Sequence, residues 1–176
     1  MFYTRKGDKG LTNLFGCAKK FSKSSPVIEA LGALDELNSL LGFCKMKTIK
    51  HPVSNSLKEV QNNLFIIQGE IAGCGKSINK KSVLEIEKEI DKIGKKLPKI
   101  KSFTISGGTE LSALLDYSRA VARRAERRCV AITCLSRRQK KNINPESLKY
   151  LNRLSSLLFV LARYANHDIK EKHPKY

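Results

Sequence analysis

The stretch Asp116-Tyr-Ser-Arg-Ala-Val-Ala-Arg-Arg-Ala-Glu-Arg-Arg128 determines how the rest of this chain can be arranged. It consists of good helix formers, and at about 100° per residue one set of its charged side chains falls within an arc of roughly 100°. This set, called the cationic strip below, comprises Arg119, Arg123, Glu126 and Arg127. A neighbouring arc is apolar and comprises Leu111, Leu115, Val121, Ala122, Ala125, Cys129 and Ile132. The pattern predicts a helix whose core face lies beside a concentrated positive charge.

Two more arginines of this stretch, Arg124 and Arg128, point away from both arcs in the same projection. A basic face on an isolated helix is most simply interpreted as solvated surface. An anion-binding site is the alternative interpretation, and the remaining segments of the chain decide between the two.

Four other segments show the apolar spacing of helices. Ser25-Pro26 and Asn144-Pro145 each place an N-cap residue before a proline at the first helical position, and Thr109 can cap the arginine-rich helix. The predicted helices run from Pro26 to about Met46, from Ser54 or Ser56 through Ile71, from Ser82 to about Leu97, from Glu110 to about Leu135, and from Pro145 to about Asn166. The predicted fold class is all-α, a five-helix bundle with an ordered N-terminal loop and no sheet.

Composition places the chain among globular proteins with anionic partners. It has 176 residues, 41% of them hydrophobic, so we expect a single domain with a proper core. Its net charge of +18 favours nucleic acid, an anionic membrane surface or phosphorylated small molecules, although lysine is spread along the whole chain. No apolar run approaches membrane-spanning length, and the five cysteines form neither a CxxC pair nor a cluster with metal spacing. We therefore expect a cytoplasmic protein with reduced thiols.

Two segments carry glycine and lysine in patterns that suggest phosphate binding. Gly75-Lys76-Ser77 resembles the end of a Walker loop, but the required first glycine is missing and the preceding segment is helical. An ordinary helix C-terminus is the preferred interpretation there. The N-terminal Thr4-Arg-Lys-Gly-Asp-Lys-Gly-Leu-Thr-Asn13 is the better candidate, because glycines let backbone N–H groups converge on an anion while threonines and cations add donors. A flexible tail is the other interpretation of this segment.

Three further side chains are candidates for a functional site. Asp35 lies on a helix surface of small residues, where it could pair with Arg119 of another helix, or the two could be unrelated. Asn152 shares a helix face with apolar residues, and we expect it to be partly buried near the bundle interior, where it needs partners. Phe103 precedes a Gly-Gly turn and is either a core plug or a wall for a flat ligand.

Five segments in register resemble the PduO-type ATP:cob(I)alamin adenosyltransferases. They are Thr4-Arg-Lys-Gly-Asp-Lys-Gly-Leu-Thr12, Glu29-Ala-Leu-Gly-Ala-Leu-Asp-Glu-Leu-Asn38, Gly107-Gly-Thr109, Arg119-Ala-Val-Ala-Arg-Arg-Ala-Glu-Arg-Arg128, and Asn144-Pro to Tyr150-Leu-Asn-Arg-Leu-Ser155 with Ala162-Arg-Tyr-Ala-Asn166. The resemblance implies a ferritin-like five-helix bundle and a homotrimer with active sites between subunits. It also implies transfer of the 5′-deoxyadenosyl group of ATP to the cobalt of cob(I)alamin, which releases triphosphate. The nucleophile is then the reduced cobalt, so none is needed from the protein.

The resemblance assigns roles to individual residues. Those implied to bind ATP are Thr4, Arg5, Lys6, Gly7, Thr12, Asn13, Lys23, Arg123, Arg124, Glu126, Arg127 and Asn152. Asp35 and Arg119 match the intersubunit salt bridge on the corrinoid side, and Phe103 matches the aromatic residue that crowds the lower face of cobalt. Mg²⁺ is implied to arrive through ATP, with no direct protein ligand assigned.

The sequence departs from the family pattern at three places. Cys17 and Ala18 stand where an acidic residue is usual, Ser106 replaces a proline before the Gly-Gly turn, and Ser156 replaces an acidic residue. The first departure accompanies a loop that is one residue longer, which affects the assignment of Lys23. None of the three removes a group assigned to the chemistry.

One domain over residues 1–176 is expected, with an ATP-binding loop (1–25), a helical bundle (26–166) and a basic tail (167–176). A cobalamin reductase and an adenosylcobalamin-dependent enzyme are the implied protein partners, with no membrane or nucleic acid. The alternative function is a basic helical module that binds nucleic acid or nucleotides without catalysis, whose affinity for nucleic acid would fall steeply with salt. A relative that only binds and delivers ATP or adenosylcobalamin is a third interpretation.

Overall fold

The helices lie where the apolar spacing predicts them, and they follow a short N-terminal hairpin. The computed structural model describes residues 2–48, 53–99, 102–135, 143–166 and 173–174. Its elements are β1 (Leu11–Asn13), β2 (Lys20–Ser22), α1 (Pro26–Met46), α2 (Val53–Ala72), α3 (Lys80–Gly94), α4 (Glu110–Leu135) and α5 (Pro145–Ala165). The predicted five-helix architecture is confirmed. The expected basic tail lies outside the described residues, apart from positions 173 and 174.

The expectation of no sheet is wrong, because the N-terminal loop contains an antiparallel pair of strands. Leu11 pairs with Ser22 and Asn13 with Lys20. The side-chain amide of Asn13 donates to the carbonyl oxygens of Cys17, Ala18 and Lys19 at 3.1 to 3.2 Å, and so closes the connection between the strands. Each strand has only three residues, which is too short for an alternating apolar pattern to be visible in the sequence.

Helix α3 is shorter than predicted and lies earlier in the chain. Its N-cap is Asn79, whose side chain accepts a hydrogen bond from the backbone N–H of Ser82 at 2.9 Å. Ser82 therefore lies in the first turn rather than before it. At the other end the backbone leaves the helix after Gly94, and Leu97 belongs to a turn in which its N–H donates to the Gly94 carbonyl.

Helix α4 runs antiparallel to both of its main neighbours, α1 and α5. Toward α1, Lys47 pairs with Glu110 at 2.9 Å at one end, while Arg128 lies 3.9 Å from Glu29 at the other. Helix α5 packs along a different side of α4, and α3 and α2 complete the arrangement against α5 and α1 respectively. Helix α4 therefore lies between α1 and α5.

Aliphatic side chains from all five helices form one continuous core. The apolar spacing predicts one buried face on each helix, and this is confirmed in α1, where Leu34, Leu37 and Leu41 are fully buried, and over most of α5. Leu148 of α5 is only partly buried, at the start of that helix. Each fully buried leucine contributes about 1.5 to 3 kcal/mol through removal of apolar surface from water, which makes this core the main source of stability.

Helix ends show which of the predicted caps are used. Asn144 accepts a hydrogen bond from the N–H of Glu146 at 2.9 Å, and Thr109 Oγ1 accepts from the N–H of Ser112 at 3.1 Å, so both caps are confirmed. Ser25 occupies the N-cap position of α1, but its side chain makes no capping hydrogen bond. Pro26, which has no N–H to satisfy, stabilises this end instead.

The Gly-Gly turn before α4 is closed by the side chain of Asn166. Its amide nitrogen donates to the Gly107 carbonyl at 2.7 Å, and its oxygen accepts from the N–H of Thr109 at 2.9 Å. Gly108 has a φ of +96°, and a Cβ atom at this residue would lie 2.7 Å from Cγ of Asn166. This turn therefore requires glycine at position 108, because a side chain there would strain the positive φ and would clash with Asn166.

We predict that Gly108→Ala lowers the free energy of unfolding by about 2 to 4 kcal/mol, since the positive φ is strained for alanine and the Asn166 bridge is displaced. The matched control is Gly94→Ala at the end of α3, where a Cβ would meet nothing within 4 Å. Urea unfolding of the control should show a change within about 1 kcal/mol, on the stabilising side. Equal stability of Gly108→Ala and the wild type would contradict this account of the turn.

Candidate functional site

A groove of about 630 Å³ lies between α4, α5 and the segment 102–106. Ligand sites in proteins commonly have volumes of several hundred Å³, so the groove is large enough for a substantial small molecule. Its lining combines aromatic rings, arginines and hydroxyl groups, including Phe103, Asp116, Arg119, Arg123, Ser156 and Phe159. These residues come from three parts of the chain that the fold brings together.

Phe103 forms part of the groove wall and is 79% exposed. Of the two interpretations of this residue, the core plug is therefore wrong and the wall for a flat ligand is favoured. The backbone of Phe103 is tied down, because its carbonyl oxygen lies 2.9 Å from Nδ1 of His173, which is also 3.0 Å from the hydroxyl of Ser102. The exposed ring is thus presented by an anchored segment.

The cationic strip lies on the flank of α4 that faces α5. Arg119 and Arg123 line the groove. Farther along the helix, Glu126 accepts a hydrogen bond from the side-chain amide of Asn152 at 2.9 Å, and Arg127 donates to the carbonyl oxygen of Arg123 at 3.0 Å. The strip is therefore continuous from the groove to the contact between α4 and α5.

The expectation that Asn152 is partly buried is wrong, because this residue is exposed on α5. Its amide is nevertheless held in position by charged neighbours. The nitrogen donates to Glu126, and the oxygen accepts from Arg153 at 2.7 Å, whose Nε in turn donates to Glu87 of α3 at 2.9 Å. Asn152 therefore has fixed donor and acceptor directions at the surface rather than in the interior.

Arg124 and Arg128 point away from both arcs of α4, as the helical projection indicated, and they reach a neighbouring helix. They lie on the opposite flank of α4, where Arg124 pairs with Glu36 and Arg128 with Glu29 of α1. The projection omitted the neighbouring helix, whose acidic residues attract both arginines. Arg124 is thereby separated from the cationic strip within this chain.

Asp35 and Arg119 make no ion pair with each other among the described residues. Asp35 is exposed on α1, and no basic group of the described part of the chain pairs with it. Arg119 is instead half-buried, with its Nε 3.6 Å from Oδ1 of Asp116. The single chain thus leaves the carboxylate of Asp35 accessible to another molecule.

Asp116 and Arg163 were not predicted as site residues, although Asp116 lines the groove and Arg163 contacts lining residues from beneath it. Asp116 is 3% exposed and Arg163 is 5% exposed, and Arg163 Nη2 lies 2.5 Å from Asp116 Oδ2. A signal existed in the sequence, because Asp116 precedes Arg119 by one helical turn and Arg163 interrupts an apolar run. The pairing itself depends on how α4 and α5 pack.

The N-terminal loop brings several of its predicted phosphate ligands together. The backbone N–H of Lys23 donates to Gly10 at 2.9 Å, and a Cβ atom on Gly7 would meet the Lys23 ammonium at 3.0 Å. Arg5 has a φ of +59°, a conformation that ordinary residues rarely adopt outside functional turns. Thr4 accepts from the N–H of Lys6 at 3.4 Å.

This loop is not joined to the cationic strip within one chain. Among the described residues, no hydrogen bond or ion pair links residues 2–23 to the arginines of α4. Asn13 uses its amide nitrogen inside the hairpin. The two parts predicted to bind ATP are therefore separate in the isolated chain.

Buried thiols of the bundle are poor nucleophiles. Burial raises the pKa of Cys129 to about 12, and the charges of Glu70 and Glu126 act in the same direction. Burial also raises the pKa of Cys44, although a hydrogen bond with Ser118 partly opposes the effect. Since the thiolate is the reactive form, neither side chain is suited to covalent chemistry at neutral pH.

Comparison with known proteins agrees with this geometry. A family model described as cobalamin adenosyltransferase matches residues 2–165. The chain therefore belongs to the cobalamin adenosyltransferase family, and the resemblance seen in the sequence is confirmed. None of the described helices combines the length and hydropathy that a membrane span requires.

Three named relatives illustrate the match. Corrinoid adenosyltransferase PduO of Citrobacter freundii is 34% identical over 97% of this chain, which spans only about half (51%) of that protein. Corrinoid adenosyltransferase MMAB of Bos taurus is 36% identical, covering 98% of this chain and 73% of the relative. The Bacillus subtilis corrinoid adenosyltransferase is 34% identical, with 93% and 86% covered.

A solved structure shows the same fold. It is a variant PduO-type ATP:corrinoid adenosyltransferase from Lactobacillus reuteri, complexed with cobalamin and ATP. The match has a TM-score of 0.87 at 32% sequence identity and covers 100% of this chain and 96% of that one. The five helices and the N-terminal hairpin are thus arranged as in a protein of this family.

We predict that a thiol reagent at pH 8 modifies Cys74 and Cys134 rapidly in the native protein but leaves Cys44 and Cys129 intact. The first two are exposed, whereas burial keeps the other two protonated well above this pH. Mass spectrometry of the labelled peptides identifies the sites. Cys74→Ser and Cys134→Ser are the control variants that should each remove a fast phase, and rapid native labelling of Cys129 would contradict the assigned burial.

Proposed function

We propose that this chain transfers the 5′-deoxyadenosyl group of ATP to the cobalt of cob(I)alamin, giving adenosylcobalamin and triphosphate. The observation that carries the proposal is the groove in which the exposed ring of Phe103 lies with Arg119 and Arg123, in a chain of the cobalamin adenosyltransferase family. The two relevant substrates occupy the Lactobacillus reuteri relative together. The attacking atom is the reduced cobalt of the substrate, so the protein contributes positioning and charge rather than a nucleophile.

Phe103 and Arg119 act on the corrinoid in this proposal. The planar ring of a corrinoid packs against an exposed aromatic side chain, and Phe103 keeps an axial ligand from the lower face of cobalt. Loss of that ligand makes Co(II) easier to reduce to the nucleophilic Co(I) state. Asp35 and Arg119 form a salt bridge on the corrinoid side, and Asp35 comes from a second copy of the chain.

The remaining arginines and the N-terminal loop act on ATP. Arg123 and Arg127 stabilise the negative charge that accumulates on the departing triphosphate. The loop contributes Thr4, Arg5, Lys6, Gly7, Thr12, Asn13 and Lys23, whose backbone and cationic groups surround phosphate oxygens. Asn152 contributes a donor that is already oriented by its own partners.

Mg²⁺ arrives with ATP in this proposal. It usually keeps several waters and takes one or two carboxylates in addition to phosphate oxygens, so Glu126 suits it as an outer contact. Glu126 is the acidic member of the cationic strip and is fixed by Asn152. When bound, Mg²⁺ supplies further neutralisation of the leaving triphosphate.

A homotrimer with active sites between subunits fits two observations. Asp35 is exposed and has no ion-pair partner among the described residues of its own chain. No hydrogen bond or ion pair joins the described part of the N-terminal loop to the cationic strip of the same chain. In this proposal a neighbouring copy supplies the ion-pair partner of Asp35 and the cationic strip that the N-terminal loop meets. Arg124 contacts the ATP of an adjacent site. The five free cysteines support a cytoplasmic location. A cobalamin reductase and an adenosylcobalamin-dependent enzyme are the proposed protein partners.

A nucleic-acid-binding module fits the surface less well. Arg124, Arg128 and Arg119 each have an acidic neighbour, so the arginines of α4 do not form an uninterrupted positive face for a phosphate backbone. Such a module would also have no use for the exposed Phe103 in a groove. A steep fall of affinity for DNA or RNA with salt, without turnover of ATP, is the result that would favour it.

We predict that the purified protein, given ATP, Mg²⁺ and cob(I)alamin under anaerobic reduction, produces adenosylcobalamin and an equal amount of triphosphate. The change in the corrinoid absorption spectrum follows the reaction. Omission of ATP provides the control for reoxidation of cobalt. ATP binding without any formation of adenosylcobalamin would contradict the enzymatic proposal and leave a binding-only protein.

We predict that Arg123→Ala lowers kcat/KM for ATP by about 100-fold or more, since it removes a charge that acts on the developing triphosphate. The matched control is Arg128→Ala on the same helix, whose partner is Glu29 and which lies on the flank facing α1. The kcat/KM for ATP of that control should remain within about threefold of the wild-type value, because exposed ion pairs contribute little to stability. Similar losses in the two variants would contradict the division of the arginines by flank.

A further inference from the structure

A buried ion pair beneath the groove is used by none of the roles proposed so far. The Asp116 carboxylate and the Arg163 guanidinium are both almost entirely buried, with Nη2 and Oδ2 2.5 Å apart. Burying two charges is expensive, and a well-packed apolar pair often serves stability equally well. The position of the pair therefore calls for a reason beyond stability.

Arg163 touches each wall of the groove. It donates to the hydroxyl of Thr104 in the segment that carries Phe103, and Nη2 lies 3.5 Å from the hydroxyl of Ser112 on α4. Its guanidinium also lies over the ring of Phe159, with 5.2 Å to the ring centroid. Arg163 is thus a fixed cation against which the Asp116 carboxylate is held.

The second oxygen of Asp116 faces Arg119. Oδ1 lies 3.6 Å from Nε of Arg119, a nitrogen that is buried and has no hydrogen-bond partner. Because the contact uses Nε, the two terminal nitrogens of Arg119 remain for other acceptors. The shorter contact of Asp116 goes to Arg163, so one carboxylate is shared between two guanidinium groups. The positive charge of Arg119 is therefore only partly neutralised, and it can still attract a further negative charge.

We propose that Asp116, anchored by Arg163, is a positioning residue that holds Arg119 in the groove with its terminal nitrogens available to the corrinoid side of the site. This role rests on the proposed function. Asp116 itself does not touch the reacting atoms. It fixes the direction from which Arg119 meets the carboxylate of a second copy.

The test compares Asp116→Asn in two backgrounds. Asparagine keeps the shape of the side chain and an acceptor for Arg163 but removes the charge that holds Arg119. With ATP bound, affinity for cob(II)alamin and kcat/KM for the corrinoid should each fall by about tenfold or more, while KM for ATP changes less than about twofold. In an Arg119→Ala background, the same substitution should change cob(II)alamin affinity by less than about twofold.

Equal losses of cob(II)alamin affinity in the two backgrounds would overturn the proposal, because a merely structural role does not act through Arg119. Thermal unfolding checks that each variant is folded. If Asp116→Asn alone does not fold, the pair Asp116→Asn with Arg163→Gln replaces both buried charges by neutral hydrogen-bonding groups. This pair should fold and should lower cob(II)alamin affinity when Arg119 is present, but it should cause little further loss in the Arg119→Ala background. Wild-type affinity of the pair would equally overturn the proposal.

The same measurements separate this proposal from the proposed function. Failure of the wild type to form adenosylcobalamin counts against the function. Normal turnover by the wild type, together with losses that add independently of Arg119, counts against the positioning role alone.

Discussion

The ion pair between Arg163 of α5 and Asp116 of α4 is the interaction on which the groove depends. Apolar packing is not directional, so the leucine core alone leaves the register of the two helices loosely defined. A buried, hydrogen-bonded charge pair has one geometry, and removing either partner typically costs about 3 to 5 kcal/mol. Through Thr104 and Arg119 the pair also connects the segment carrying Phe103 to the cationic strip. Stability and the arrangement of the site are coupled at this point.

Helix α4 has three faces with different neighbours, because its 3.6-residue period distributes the side chains of one sequence around the helix axis. Its apolar face enters the core, one flank carries Arg124 and Arg128 toward acidic residues of α1, and the other carries the cationic strip toward α5. The arginines that look equivalent in the sequence thus differ in their neighbours. Arg124 and Arg128 each have an acidic partner on α1, whereas Arg119 and Arg123 line a groove that can receive a ligand.

The sequence was sufficient to predict the helices, because leucine spacing and the caps at Thr109 and Asn144 are local signals. It was not sufficient for the N-terminal hairpin, whose strands are too short to show a period. The exposure of Asn152 was missed because a helical projection shows which residues share a face but not how far a neighbouring helix covers it. The pairing of Asp116 with Arg163 joins positions 47 residues apart and requires the packing of α4 on α5. The family resemblance supplied roles for Phe103 and Asp35 that no local pattern contains.

The central claim is that two copies of the chain complete one site, with Asp35 from one and Arg119 from the other. The most direct measurement coexpresses Asp35→Asn and Arg119→Ala under different affinity tags and isolates the mixed oligomers. Each variant alone should have little turnover starting from cob(II)alamin, whereas the isolated mixed trimers should each contain one complete site, about a third of the wild-type number. Mixed oligomers that contain both chains but remain as inactive as the separate variants would contradict the claim.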